Sequence, residues 1–242
     1  MTERKAVLAA PERVALADFA SVETALDADG CAVLPKLLQR SECDALVALY
    51  ERDELFRSRV VMAQHGYGAG EYKYFQYPLP ELISGLREAL YSKLSAIANR
   101  WNAKLGVETL FPNEHQDYID KCHAALQTRP TPLLLRYGPG DYNCLHQDLY
   151  GELVFPLQVA ILLSEPERDF EGGEFVLTEQ RPRRQSKALV VPLRQGDGVV
   201  FAVNERPAHG TRGVYRVKMR HGVSRLRSGQ RHTLGIIFHD AT

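Results

Sequence analysis

The chain has 242 residues, 45% of them hydrophobic, with Lys+Arg and Asp+Glu at 30 each. That supplies apolar material for one large core, and no apolar run approaches the roughly 18 residues that a membrane span needs. The charged start MTERKAVLAAPERVALADF does not read as a signal peptide. Cys31, Cys43, Cys122 and Cys144 form no C-x-x-C pair, so neither a disulfide framework nor a thiolate zinc knuckle is indicated, and a reducing cytoplasm is expected. Charge is unevenly spread. Arg181 to Arg231 hold thirteen Lys/Arg against Asp197 and Glu205, while residues 1–60 hold eight Lys/Arg against eleven acids. Such asymmetry favours an anionic ligand or partner, unless the N-terminal acids neutralise it.

The first 110 residues read as mixed and largely helical. CAVLPKLL (31–38) is a short strand pattern, and Ser41-Glu42-Cys43-Asp44 is an N-cap signal ahead of a helix over ALVALYERDELF. From Pro80 onward Leu82, Leu86, Leu90, Leu94, Ile97, Trp101 and Leu105 recur at steps of three and four, which predicts a helix whose apolar face backs a sheet. A further helix is expected over NEHQDYIDKCHAALQ (113–127), stopped by Arg129-Pro130-Thr131-Pro132. After Pro132 the pattern changes to short β-rich runs: LLLRY, LVFPLQVAILLS, GEFVLTEQ, ALVVPL, GVVFAV, VYRVKM, HGVSRL and HTLGIIFH, parted by GPGD, EGG, RQGD and RSGQ. Eight strands at this density predict a double-sheet jelly roll whose interior can hold a ligand. The expected fold class is α+β, with an N-terminal extension over 1–50 packed on a domain at 51–242 whose jelly-roll core covers about 132–240.

Within this region CLHQD puts His146 and Asp148 two residues apart. Positions i and i+2 of a strand project to one side, so both face one pocket while Gln147 turns away. Two histidines and one carboxylate on three adjoining positions leave the opposite three open, as Fe(II) needs to bind a cosubstrate and dioxygen together. His221 is chosen as the second histidine because HGVSRLRSGQRHTLGIIF reads as a hairpin about Arg227-Ser228-Gly229-Gln230. Its return strand carries Arg231 and Thr233, again an i, i+2 pair. A permanent cation beside a hydroxyl suits the far carboxylate of a dicarboxylic acid.

His146-x-Asp148, His221 and Arg231-x-Thr233, in that order, resemble the iron- and 2-oxoglutarate-dependent dioxygenases on the double-stranded β-helix. RYGPGDYNCLHQD, Gly172-Gly173-Glu174-Phe175 and Gly196-Asp197-Gly198-Val199-Val200-Phe201 stand in the expected places. More narrowly, GEYKYFQYPLP, CHAALQTRPTPLLLRYGPGDYNCLHQDLYGELVFPLQ, GGEFVLTEQRPR and RHGVSRLRSGQRHTLGIIFHDA resemble a bacterial oxygenase family classed as acting on alkylated nucleic acid. This resemblance runs from about residue 50 to the C-terminus. It implies that His146, Asp148 and His221 hold Fe(II), that 2-oxoglutarate chelates the iron with its C5 carboxylate on Arg231 and Thr233, and that dioxygen takes the remaining position. A substrate C–H bond is then hydroxylated, with release of succinate and CO2. On an N-methyl group the product is a hemiaminal that loses formaldehyde.

The resemblance also puts Tyr137 near the cosubstrate. Gln158 interrupts VFPLQVAILL and, in a regular strand, faces the pocket with Ala160 and Leu162, where its amide bonds either a ligand or neighbouring backbone. Cys144, on the His146 side, reads as a small core residue. HGYGAGEYKYFQYP (65–78) reads either as an aromatic lid that stacks on a flat substrate or as a strand packed on the sheet. His209, in RPAHGTRG, rivals His221 because the 75-residue interval from His146 is long for the superfamily, yet no R-x-S/T follows it at the customary spacing. A protein (prolyl-type) or small-metabolite hydroxylase would share every feature. A cupin-like metal hydrolase or ligand-binding protein would leave Arg231 and Thr233 without a task.

Overall fold

The structure, a computed structural model, describes residues 8–211 and 213–242; the first seven residues of the expected extension, and Arg212 of the basic run, lie outside them. Helices α1 (Ala10–Leu16) and α2 (Phe19–Asp29) precede β1 (Cys31–Leu34) and α3 (Arg40–Ala48). Strands β2 (Phe56–Val61), β3 (Gly68–Ala69) and β4 (Glu71–Phe75) follow, then α4 (Glu81–Leu105) and α5 (His115–Ala124). Eleven strands complete the chain: β5 (Leu133–Tyr137), β6 (Tyr142–His146), β7 (Leu157–Leu162), β8 (Phe170–Gly172), β9 (Phe175–Gln180), β10 (Lys187–Val191), β11 (Gly198–Ala202), β12 (Glu205–Gly210), β13 (Gly213–Val223), β14 (Leu226–Gly229) and β15 (Arg231–Ile236). No helix among the described residues is long and apolar enough to cross a membrane.

Two antiparallel sheets carry the fold. The larger runs β1-β11-β7-β15-β5-β4-β2; the smaller runs β10-β9-β13-β6-β3, with β12 also on β13. The segment before residue 51 therefore supplies an edge strand, β1, to the larger sheet. One face of that sheet (Leu134, Leu157, Val159, Ile161, Leu234, Ile236) joins α4 residues Leu86, Leu90, Leu94, Ile97 and Trp101 in the main core. The alternation of strand side chains turns the other face toward the smaller sheet. Helix α4 thus does what its periodicity predicted, although its end positions Leu82 and Leu105 are only half-buried.

Three local expectations are corrected. Helix α3 starts two residues earlier than Ser41 implied: Gln39 is the N-cap, and its backbone N–H donates to Glu42 at 2.7 Å, a capping-box contact. VYRVKM and HGVSRL, read as two strands, are one eleven-residue strand, β13. The hairpin joining His221 to Arg231 does not form, because β14 leaves to pair with β8 and β15 enters the other sheet between β5 and β7. His221 and Arg231 consequently stand on opposite walls of the sandwich, which is why one cavity can hold both.

Candidate active site and metal centre

The β6–β13 register sets His221 directly opposite His146, with imidazole centroids 4.2 Å apart. That ladder shifts register between His221 and Val223, and glycine is what permits the approach: a Cβ on Gly222 would lie 2.6 Å from the Asn143 carbonyl oxygen. Asp148 bridges the pair. His146 Nε2 is 3.3 Å from its Oδ1, and His221 Nε2 is 3.3 Å from its Oδ2. One ligand atom from each of the three residues falls within 4.8 Å of the others.

The surroundings orient these atoms. His146 Nδ1–H donates to the Cys144 carbonyl at 2.8 Å, which fixes the ring with Nε2 toward Asp148. His221 is buried against Phe201, ring centroids 4.6 Å apart. Tyr150 Oη donates to Asp148 Oδ1 at 2.8 Å and accepts from Tyr74 Oη at 3.0 Å. Burial, and then the Asp148 charge, push the Tyr150 phenol up, so it keeps the proton it donates. Burial opposes ionisation of Asp148, yet hydrogen bonds from His146 and His221 outweigh it and hold the carboxyl well below the usual range. Burial lowers His221, whereas at His146 the burial penalty is exceeded by Asp148 and the imidazole is raised. An ionised carboxylate with two imidazole nitrogens beside it is the donor set of a non-haem Fe(II) site, and the residues present fit that ion.

On the facing wall, Arg231 is 2% exposed and pairs with no carboxylate among the described residues. Its Nη1 donates to Thr233 Oγ1 at 2.6 Å, and its Nε, also buried, has no partner. The guanidinium lies 5.6 Å from the Tyr137 ring and 5.9 Å from the Phe170 ring, and burial pulls its pKa down to about 10. Room for the arginine comes from the Gly172-Gly173 turn, where a Cβ on Gly173 would meet Arg231 Cδ at 2.9 Å. A buried cation with no counter-charge is a costly arrangement that an anionic ligand relieves. 2-Oxoglutarate, a dicarboxylate, fits this end of the cavity.

His146, Asp148, His221, Arg231, Thr233, Tyr137 and Gln158 all line one cavity of about 450 Å³. His209 does not join them; it is exposed on β12, opposite Val214. Cys144 is also exposed rather than a core residue, and it contributes its carbonyl to His146. Part of the segment 65–78 is strand. Tyr72 and Tyr74 are strand residues of β4 that line the cavity, while Tyr67, stacked on His65 at 5.3 Å, stands exposed at the rim. Sequence reasoning missed Tyr150. Its signal was the spacing in His146-Gln147-Asp148-Leu149-Tyr150, where a phenol two residues beyond a ligand reaches back to the carboxylate. Along the basic run Lys187 pairs with Asp29 of the N-terminal layer, and Arg181, Arg216 and Lys218 pair with Glu179 or Glu205. Among the described residues Arg183, Arg184, Arg194, Arg220 and Arg225 are exposed and make no ion pair.

Known proteins agree with this geometry. The family described as "Oxygenase, catalysing oxidative methylation of damaged DNA" matches residues 70–241. Two uncharacterized proteins of Mycobacterium tuberculosis, from strains CDC 1551 / Oshkosh and ATCC 25618 / H37Rv, are each 54% identical over 167 residues, 69% of this chain and 72% of the relative. Among solved structures, a prolyl-4-hydroxylase of Pseudomonas putida superposes with a TM-score of 0.53 at 15% identity, over 93% of this chain and 100% of that one. A 2OG-Fe(II) oxygenase family oxidoreductase of Burkholderia pseudomallei gives 0.54 at 17%, over 94% of each. A Trichoplax adhaerens prolyl hydroxylase in complex with a hypoxia inducible factor peptide gives 0.55 at 15%, over 93% and 89%. These three likenesses are of fold, the double-stranded β-helix. The chain belongs to the oxygenase family that matches residues 70–241, so it is an oxidoreductase, and its His146, Asp148 and His221 form a group that could hold a metal ion.

Proposed function

We propose that the protein oxidises alkylated bases of nucleic acid, hydroxylating an N-alkyl carbon so that the alkyl group leaves as an aldehyde. The observation that carries the reading is the pairing of two half-sites in one cavity: the His146–Asp148–His221 cluster on one wall, and a buried Arg231 without a counter-ion on the other. The family's description, which names damaged DNA, supports the substrate class. So do the Tyr72, Tyr74 and Tyr150 side chains at the cavity, which suit a flat ring. Four cysteines without disulfides accord with a cytoplasmic setting.

In this reading His146 Nε2, His221 Nε2 and the Asp148 carboxylate hold the metal. What Fe(II), 2-oxoglutarate and dioxygen supply when bound is C–H hydroxylation coupled to release of succinate and CO2. Arg231 and Thr233 bind the C5 carboxylate through a charge-assisted contact and a directional hydroxyl. Tyr137 covers the guanidinium and, with Phe170, keeps water from it. Tyr150 holds the Asp148 carboxylate in one orientation. A hydrolase would need none of the Arg231 arrangement, and the cavity offers it nothing anionic to bind there. The test supplies Fe(II), labelled 2-oxoglutarate and air, and measures succinate with oligonucleotides carrying single N-methylated bases, with proline-containing peptides and alone. Formaldehyde release that follows the methylated oligonucleotides bears out the reading; hydroxylated peptide with unchanged oligonucleotides overturns it in favour of a protein hydroxylase.

A further inference from the structure

The larger sheet divides the cavity into levels. Its register aligns Tyr72, Leu135, Thr233 and Leu162 in one row, then Tyr74, Leu133, Gly235 and Ala160 in the next, and it pairs Gln158 with Phe201. The Arg231 guanidinium bends back to Thr233, so the clamp lies at the level of Leu162. Gln158 is four residues away along β7, about 13 Å at ~3.3 Å per residue. Four C–C bonds of roughly 1.5 Å let the five-carbon cosubstrate span at most about 6 Å. Phe201, the ladder partner of Gln158, packs on His221. Gln158 therefore lies at the His221 end of the cavity, four strand residues from the clamp level. It is 3% exposed, lines the cavity, and its Nε2 has no partner. A buried amide donor without an acceptor is a group built for a ligand.

We propose that Gln158 is the specificity-determining residue of the substrate end: its carboxamide hydrogen-bonds the edge of the target ring, while Tyr74 and Tyr150 bound the ring's face. This deepens the nucleobase reading above and rests on it. An amide both donates and accepts, so it can serve an edge that carries a carbonyl, a ring nitrogen or an exocyclic amine. A carboxylate in its place only accepts. It keeps amine-bearing rings and is repelled by those whose edge carries oxygens alone.

The experiment compares wild type, Gln158→Leu and Gln158→Glu on oligonucleotides holding one N1-methyladenine, N3-methylcytosine or N3-methylthymine. Saturation-transfer NMR with the same three nucleosides on metal-free protein gives a readout independent of turnover. Gln158→Leu is expected to lower kcat/KM on active substrates by about tenfold to a hundredfold. Gln158→Glu is expected to lose N3-methylthymine much more than the two amine-bearing bases. The loss should fall on substrate parameters, and not on the 2-oxoglutarate concentration that half-saturates uncoupled succinate formation. Near-isosteric Glu keeps the test readable if Leu disturbs folding. Unchanged kcat/KM, an equal loss on all three bases in Gln158→Glu, or a raised 2-oxoglutarate requirement overturns the assignment while leaving the nucleobase reading intact. Wild-type inactivity on all three oligonucleotides overturns both.

Discussion

Replacing Arg231 by methionine keeps a long side chain and removes the charge. Arg231 is 2% exposed, and among the described residues the only polar contact of its guanidinium is the Thr233 hydroxyl. Burial brings its pKa from 12.5 down to about 10. At ~1.4 kcal/mol per tenfold, that corresponds to a cost of about 3 kcal/mol for keeping the cation in the ligand-free fold. Arg231→Met should therefore raise the ligand-free Tm by about 6–12 °C, at ~2–4 °C per kcal/mol for a chain of this size. The same change removes the partner of the C5 carboxylate, a loss of about 2–5 kcal/mol, or roughly 30-fold to several-thousand-fold in 2-oxoglutarate affinity. Differential scanning fluorimetry with Mn(II) reads both effects. In wild type, 2-oxoglutarate at a hundred times its Kd adds ~2.7 kcal/mol, about 5–10 °C; at that concentration the variant should shift by no more than about 2–3 °C. A Met variant that keeps the ligand-induced shift, or whose ligand-free Tm falls, would refute the assignment of Arg231 as a clamp held ready for an anion.

Other outcomes follow from the same geometry. His221→Ala should abolish Fe(II) or Co(II) retention measured by metal analysis after desalting, while His209→Ala, on the exposed face of β12, should retain it. Tyr150→Phe deletes the 2.8 Å hydrogen bond to Asp148 and should weaken metal affinity about tenfold to a hundredfold in a competition titration, with Tm little changed. Asp27 works against its burial through hydrogen bonds from Arg100, Trp101 and Lys104, which bring its pKa down to about 2. A carboxyl lowered in the fold stabilises above its unfolded pKa and loses that contribution as pH falls from about 4 toward 2. Urea midpoints at pH 6 and pH 3 should therefore converge in Asp27→Asn relative to wild type.

Much of this was legible in the chain. The i, i+2 spacing in CLHQD needed only strand geometry to be read as a metal half-site, and the three- and four-residue steps after Pro80 drew α4 nearly to its ends. β12 was not foreseen, since ERPAHG carries a proline that argues against a strand; it forms along β13, where the partner fixes its backbone. The His221–Arg231 hairpin was misread because RSGQ has turn composition, and composition does not reveal that the residues before it pair with a third strand, β8. Cys144, on the His146 side, reads as a small core residue rather than a ligand, but β6 has β3 beside it over only two residues, and the side chain is exposed.

The sequence by itself determined which chemical groups were available: two histidines and a carboxylate for a metal, an arginine and a hydroxyl for an acid, and strands whose alternation turns them inward. These are local properties, set by side-chain chemistry and the two-residue period of a strand. Only the tertiary structure decided that His221 rather than His209 meets Asp148, that Arg231 faces the metal ligands from the opposite sheet, and that Tyr150 holds the carboxylate. Each of these depends on register between strands distant in sequence and on whether burial leaves a polar atom without a partner. Neither quantity is written in any short stretch of the chain.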